Sequence, residues 1–242
     1  MKKNIEIIYE DEQVVLVNKP SGVLTIPDRF RPYDIFNLYH WLEEKYGKIY
    51  TVHRLDRETS GLLIFAKTEG AHKSLSQQFE KRSVSKIYKV LVDGKVIEEE
   101  GTIDKPIGKH PTLSGKMVIT KNGKPSLTLY KVVDRFKNYT LLDADIKTGR
   151  THQVRVHFRS VGYPLAIDEK YGRKDAFFLS DVKLRKYRLG KGQEERPLMS
   201  RSSLHAHRLE FDHPASGERM VFEAGLPKDF AAVLKQLGKW GR

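Results

Sequence analysis

Many short strands and a few helices, the pattern of an α+β chain, are what the sequence predicts. Three observations point there. β-branched and aromatic runs recur along most of the chain, and turn residues separate them at short intervals. The 3.6-residue period of an amphipathic helix surfaces in only a few places. No internal repeat and no low-complexity linker divides the chain, so one domain over residues 1–242 is expected.

Residues 5–9 and 14–18 are β-rich and flank Glu10-Asp11-Glu12, as in a hairpin. Lys19-Pro20-Ser21-Gly22 then places proline and glycine where a type I turn takes them. From Asp34 the period changes. Ile35, Leu38, Tyr39, Leu42 and Tyr46 fall at helical spacing, with Asp34 the expected N-cap and Gly47 the stop. This stripe, with Trp41 nearby, reads as core rather than as a platform for stacked bases. Leu62-Leu63-Ile64-Phe65-Ala66, closed by Lys67, is a buried strand. Thr68 suits the cap of a second helix, whose apolar face is Ala71, Leu75 and Phe79. Residues 85–92 are a strand on composition, and residues 98–101 and Asn122-Gly123 are turn signals. Residues 127–133 and 139–146 alternate with period two and should pair. Phe230, Val233, Leu234 and Leu237 make a terminal amphipathic helix over about residues 229–238, most simply a packing element.

Composition narrows the class. Hydrophobic residues are 39% and aromatics 10% of the 242, enough for a packed core. Lys and Arg number 44 against 31 Asp and Glu, a formal charge of +13. That excess points to a polyanionic partner, and the bland alternative is a basic protein that is merely soluble. A membrane surface is the weaker option, because no apolar run approaches the ~20 residues of a span. The absence of cysteine excludes disulfides, thiolate nucleophiles and cysteine-ligated zinc. Met1-Lys2-Lys3 leads directly into strand-like sequence with no leader pattern, so a cytoplasmic location is expected. Residues 173–201 carry nine Lys or Arg against four Asp or Glu and include the loop-like Leu189-Gly190-Lys191-Gly192-Gln193. An insertion that grips a nucleic-acid backbone and a solvated loop account for it equally well.

Two stretches carry chemistry. In His53-Arg54-Leu55-Asp56-Arg57-Glu58-Thr59-Ser60-Gly61 a carboxylate stands between two arginines, in a polar loop that runs straight into the 62–66 strand. Asp56 is thereby held at a strand end. The bland reading is an aspartate that caps a turn and pairs with surface arginines. The second stretch runs from Lys147 to Phe158. As a strand, Gln153, Arg155 and His157 would share a face; as a helix capped by Thr151 and stopped by Gly162, Val154, Phe158 and Val161 would be buried. The helix is the stronger reading. Its basic residues serve equally as a solvated face. His205 and His207 could share a strand face near His213, but no carboxylate stands at zincin spacing, so no metal site is expected.

The nonamer 53–61 resembles, residue for residue, the HRLDxxTSG signature of the RluA-type RNA pseudouridine synthases. The resemblance extends along nearly the whole chain. It includes Glu10-Asp11 with Asn18-Lys19-Pro20-Ser21-Gly22, the Lys86-Ile87-Tyr88 strand, and Thr148-Gly149-Arg150-Thr151-His152-Gln153-Val154-Arg155-Val156-His157. Leu204-His205-Ala206 and His213-Pro214 resemble the family's closing strand and turn. Gly162-Tyr163-Pro164-Leu165-Ala166-Ile167-Asp168 is similar to its GxPixGD continuation but departs at Ala166 and Ile167, where no role is inferred.

The resemblance implies a catalytic domain with a large mixed, mostly antiparallel sheet, flanking helices and a central RNA-binding cleft. It implies conversion of uridine to pseudouridine within RNA: the N-glycosidic bond breaks, the base turns over, and C5 joins the sugar. Asp56 would be the catalytic residue, as nucleophile or as base, with Arg155 lying against it and keeping it ionised. Tyr88 would offer a face to the uracil and a hydroxyl for the C5 proton. Arg54 would fill the gap left by a flipped base or hold phosphates, and His53, Arg57, Arg150 and His152 would also contact RNA. Neither a cofactor nor a metal is expected, and the protein should be a monomer. Because the pattern begins at Ile5, the family's frequent N-terminal S4-like domain is expected to be absent. Two other classes stay open. One is a non-catalytic RNA-binding protein on the same fold, whose mark would be loss of Asp56, Tyr88 or Arg155; all three are present. The other is a glycosidase pairing Asp56 with a second carboxylate, for which Glu58 is near in sequence only. Ribosomal large-subunit RNA, transfer RNA or both could be the target.

Overall fold

A computed structural model describes residues 5–190 and 192–241. Its elements in chain order begin β1 (Glu6–Glu10), β2 (Val14–Lys19), α1 (Leu38–Tyr46), β3 (Tyr50–Thr51), β4 (Ser60–Ala66) and α2 (Glu69–Glu80). There follow β5 (Ser85–Asp93), β6 (Glu100–Asp104), β7 (Ile107–Lys109), β8 (Met117–Ile119), β9 (Leu127–Arg135) and β10 (Tyr139–Ile146). The last are α3 (Gln153–Ser160), α4 (Ser180–Lys183), a 3₁₀ turn (Leu184–Lys186), β11 (Leu204–Asp212), β12 (Arg219–Glu223) and α5 (Lys228–Trp240). The sheet is mixed and mostly antiparallel, as expected. Two compact units divide the described chain: residues 5–87 with 205–225, and residues 88–204 with 226–241.

In the first unit the strands lie in the order β1-β2-β4-β11, with β3 on β4 and β12 on β11. The expected hairpin forms because Asp11 closes its turn, its carboxylate accepting from the Gln13 and Val14 amides at 2.7 and 2.8 Å. All seven residues of β4 are buried, which is why residues 62–66 within it form a continuous apolar run rather than an alternating one. Leu16, Ile64, Leu75 and Phe211 belong to the core around it. Thr68 caps α2 as expected, accepting from the Ala71 amide. The expected cap of α1 is corrected. Asn37, not Asp34, accepts from the His40 amide at 2.9 Å. Asn37 is held extended by a bridge to Leu24, and the Leu38 amide donates to the Leu24 carbonyl, so the helix cannot start earlier. Gly47, at φ 74°, ends it as expected.

In the second unit the order is β5-β10-β9-β6, and β7 and β8 form a separate pair. β9 and β10 pair antiparallel, as their alternation predicts. The 153–160 segment is a helix, but Thr151 does not cap it. His152 occupies the N-cap in the left-handed region (φ 55°) without a side-chain bond to the helix. The Gln153 carboxamide instead reaches back to accept from the Arg150 amide at 3.1 Å. Residues 153–158 are all buried, so the solvated-face reading of this run fails. Residues 173–201 are not one open loop. Phe177 and Met199 are buried and joined by a bridge, and α4 buries Val182 in the same core as Phe230, Val233 and Leu237 of α5. Arg201 closes the segment with a forked pair to Asp229 at 2.7 and 2.8 Å. Lys191 lies outside the described residues.

Candidate functional site

The first unit seats the Asp56 loop on the stretch that follows β2. Thr25 Oγ1 donates to the Leu55 carbonyl at 3.1 Å and accepts from the Leu55 amide at 3.2 Å. The Gly22 amide donates to the Arg57 carbonyl at 2.8 Å, and Ser21 Oγ donates to the Glu58 carbonyl at 2.8 Å. Lys19 is fully buried, and its ammonium donates to the carbonyls of Pro20, Val23 and Arg57. A buried ammonium needs such a set of acceptors, and here that need ties two loops together. The Thr59 amide closes the turn on the Asp56 carbonyl. Leu55 and Thr59 are buried while Asp56 is half-buried, so the carboxylate stands on a loop anchored on both sides. Arg54 and Arg57 are exposed. Arg57 and Glu58 approach to 3.6 Å on the surface, where such pairs contribute little.

Two residues of the nonamer serve the strand behind it. Gly61 sits at φ 116°, and a Cβ there would lie 2.2 Å from the Ala206 carbonyl oxygen, so only glycine lets β4 and β11 pair in parallel. Ser60 Oγ bonds the buried His205 Nδ1 at 2.9 Å. His205 Nε2 faces the Ala224 carbonyl at 3.2 Å and so carries the ring proton, leaving Nδ1 to accept. His207 Nδ1 also meets the Ala224 carbonyl. These histidines hold strands together, and among the described residues no group of three His, Cys, Asp or Glu is placed to bind a metal ion.

His53 is engaged in the same way. Its Nε2 accepts from the Ile64 amide at 3.2 Å, and its ring stacks on Phe79 at 4.7 Å. Nε2 is thus committed to β4 rather than offered to a ligand. Burial, with the Lys86 ammonium adding repulsion, lowers its pKa from 6.5 to about 3. An unfolded chain takes up this proton near pH 6.5 and the folded one only near 3. The stability contributed is therefore complete above 6.5 and lost as the pH falls through that window. The His53 ring signal in an NMR titration should stay fixed from pH 8 to 4. The fall in melting temperature between pH 6.5 and 4 should be shallower in His53→Gln. Titration of the ring near 6.5 would refute this.

The second unit holds Tyr88, Arg150, His152 and Arg155. Tyr88 is a 7% exposed member of β5. Arg155 is 5% exposed, and its Nε and Nη2 donate to the two carboxylate oxygens of Asp168, both at 2.7 Å. The Asp168 side chain is fully buried and also accepts from the Lys170 and Tyr171 amides. The Arg155 guanidinium lies 5.0 Å from the Tyr171 ring centre, and Tyr171 Oη bonds His152 Nδ1 at 2.7 Å. Arg150 and His152 are half-exposed, with Arg150 Nε donating to the Pro125 carbonyl. Buried Gln153 links Thr148, Leu127 and Thr128, which fixes the entry to α3. Arg150, His152 and Arg155 thus come together at one helix start, as His53, Arg54, Asp56 and Arg57 do in one loop.

Sequence reasoning missed Lys19, Thr25 and Asp168. Lys19 gave a signal, since it ends a strand that opens with four apolar residues and precedes a turn. Asp168 ends the GxPixGD-like stretch, and Ala166 and Ile167, where that stretch departs from the family pattern, are core residues, 2% and 1% exposed.

A family model described as RNA pseudouridylate synthase matches residues 13–160. The chain is 41% identical over 237 residues to ribosomal large subunit pseudouridine synthase D of Pseudomonas aeruginosa, covering 96% of this chain and 72% of that protein. It is 37% identical over 245 residues to the uncharacterized RNA pseudouridine synthase YlyB of Bacillus subtilis, covering 98% of this chain and 74% of that one. Among solved structures, human RNA pseudouridylate synthase domain containing 1 is similar with a TM-score of 0.70 at 28% identity, covering 93% of this chain and 84% of that one. Asp56, Tyr88 and Arg155 all fall inside the matched region; Asp168 lies beyond it.

Proposed function

We propose a function from a fixed premise: the chain belongs to the RNA pseudouridylate synthase family. It converts uridine to pseudouridine in large-subunit ribosomal RNA, the substrate that the relative from Pseudomonas aeruginosa carries in its name. The net charge of +13 suits a polyanionic substrate. The observation that carries the reading is the seating of the nonamer, which holds the half-buried Asp56 carboxylate on an anchored loop.

In the reaction the bond between C1′ and N1 breaks and a bond between C1′ and C5 forms. The proton on C5 is lost and one is gained at N1, so atoms balance without a co-reactant. Asp56 acts at the sugar–base junction, either attacking as nucleophile or removing a proton. Arg155 supplies the fixed positive charge that the family resemblance assigns to this reaction. Tyr88 presents its ring to the uracil and its hydroxyl to the C5 proton. Arg54, exposed on the loop, serves RNA rather than the core. The test is tritium release from large-subunit ribosomal RNA transcribed with 5-tritiated uridine. The protein should liberate label into water, and none above background would sink the reading.

The two roles of Tyr88 separate by substitution. Tyr88→Phe should keep RNA affinity and lower single-turnover rate by about 10²–10⁴-fold, the usual worth of a general base. Tyr88→Ala should also weaken binding, since stacking contributes about 1–3 kcal/mol per base. A fully active Tyr88→Phe enzyme would remove the hydroxyl from the chemistry.

A further inference from the structure

A cavity of about 820 Å³ opens in the second unit where the β9–β10 turn, the end of α4 and the end of α5 meet. Trp240, 36% exposed, lies along it. The ammonium groups of Lys183, Lys186 and Lys239 stand 5.0, 6.0 and 5.1 Å from the centre of its ring. Lys137 lines the same cavity and is fixed there by its amide, which donates to the Gly241 carbonyl. Among the described residues, none of these four lysines forms an ion pair with a carboxylate. Asp181, the acidic residue of the lining, is already engaged by Lys174 and by the Phe178 amide. Leu184 adds an apolar wall, 52% exposed and held at φ 48°, a strained conformation for a branched side chain.

Three like charges around one indole, with a fourth lining the same cavity, repel each other unless an anion joins them. The lysines supply point charges that suit phosphate without demanding a fixed geometry. The indole supplies a flat face on which any base can stack. An acidic protein segment would use the charges but not the ring. We propose that this cavity is a second RNA-binding subsite, outside the Asp56 loop, in which one base of a single-stranded segment stacks on Trp240 while its flanking phosphates meet Lys183, Lys186 and Lys239. The inference rests on the reading of the protein as an RNA enzyme and adds where the substrate is gripped away from the reacting uridine. It gives the basic 173–201 segment a specific use: α4 and the 3₁₀ turn carry two of the lysines, and the same α4 is anchored through Val182 to the core.

The chain has two tryptophans, so Trp41→Phe leaves Trp240 as the sole reporter. Titration with a single-stranded oligouridylate of about twenty nucleotides should quench its emission. Trp240→Ala should weaken binding of that probe by about five- to a hundredfold. Lys183→Gln combined with Lys186→Gln should reduce the slope of log affinity against log salt by about 1.4. Unchanged emission at saturation, or unchanged affinity in Trp240→Ala, would overturn the proposal. So would base-free polyphosphate that quenches and binds as well as the oligonucleotide, which would mark the patch as a general anion or acidic-protein surface. Tritium release by the unsubstituted protein is read separately. Release with no effect at Trp240 removes only the subsite, whereas oligonucleotide quenching without release removes only the proposed reaction.

Discussion

Asp56→Asn should abolish pseudouridine formation, lowering the single-turnover rate by at least about 10³-fold, with RNA affinity within a few-fold of the unsubstituted protein. The size of the effect follows from chemistry: an amide can neither attack a sugar carbon nor accept a proton as a carboxylate does. That the fold should survive follows from how the loop is seated. Its ties run through the Leu55 amide and the carbonyls of Leu55, Asp56, Arg57 and Glu58, reached from Thr25, Gly22, Lys19 and Ser21 and from the Thr59 amide. Asn has the shape of Asp and leaves those ties in place. Circular dichroism should therefore match the unsubstituted protein while tritium release vanishes. Turnover within tenfold of normal would exclude Asp56 from the reaction.

Arg155→Leu should have a large effect on stability. The guanidinium and the Asp168 carboxylate are both buried and joined by two 2.7 Å bonds. Removing one partner strands the other as a buried charge, which costs about 3–5 kcal/mol. For a chain of this size that corresponds to a fall in melting temperature of roughly 6–20 °C. Asp168→Leu should fall at least as far, because the Lys170 and Tyr171 amides lose their acceptor too. Arg155→Lys keeps the charge but not the fork and should lie between. Activity must then be read well below the melting temperature. Under the role proposed for Arg155, Leu there should also lower the single-turnover rate of the folded fraction. A loss of rate that tracks the unfolded fraction at every pH would make Arg155 a structural residue alone.

These two sites were not equally legible in the sequence. The Asp56 loop was, because its motif is contiguous and the apolar run behind it announces a buried strand. The hairpin closed by Asp11, the Thr68 cap and the β9–β10 pair were legible for the same reason: each is decided by neighbours a few residues apart. What failed depended on distant partners. Asp34 looks as good a cap as Asn37, until the pairing of Asn37 with Leu24 decides between them. Thr151 looks like a cap, until Gln153, held by the distant Leu127 carbonyl and Thr128 hydroxyl, bonds the Arg150 amide itself. A lysine after a strand reads as solvated, and nothing local says that Lys19 will meet three carbonyls. The Arg155–Asp168 fork spans a thirteen-residue gap across a helix and a turn, beyond any periodicity.

The most direct test joins residue, reaction and target. Pseudouridines in large-subunit ribosomal RNA should be mapped by chemical tagging in cells lacking this protein, and again after restoring either the unsubstituted chain or Asp56→Asn. The account predicts at least one uridine that goes unmodified in the deletion, is modified again by the unsubstituted chain, and stays unmodified with Asp56→Asn present at equal abundance. Restoration by Asp56→Asn, or a map that the deletion leaves unchanged, would contradict it.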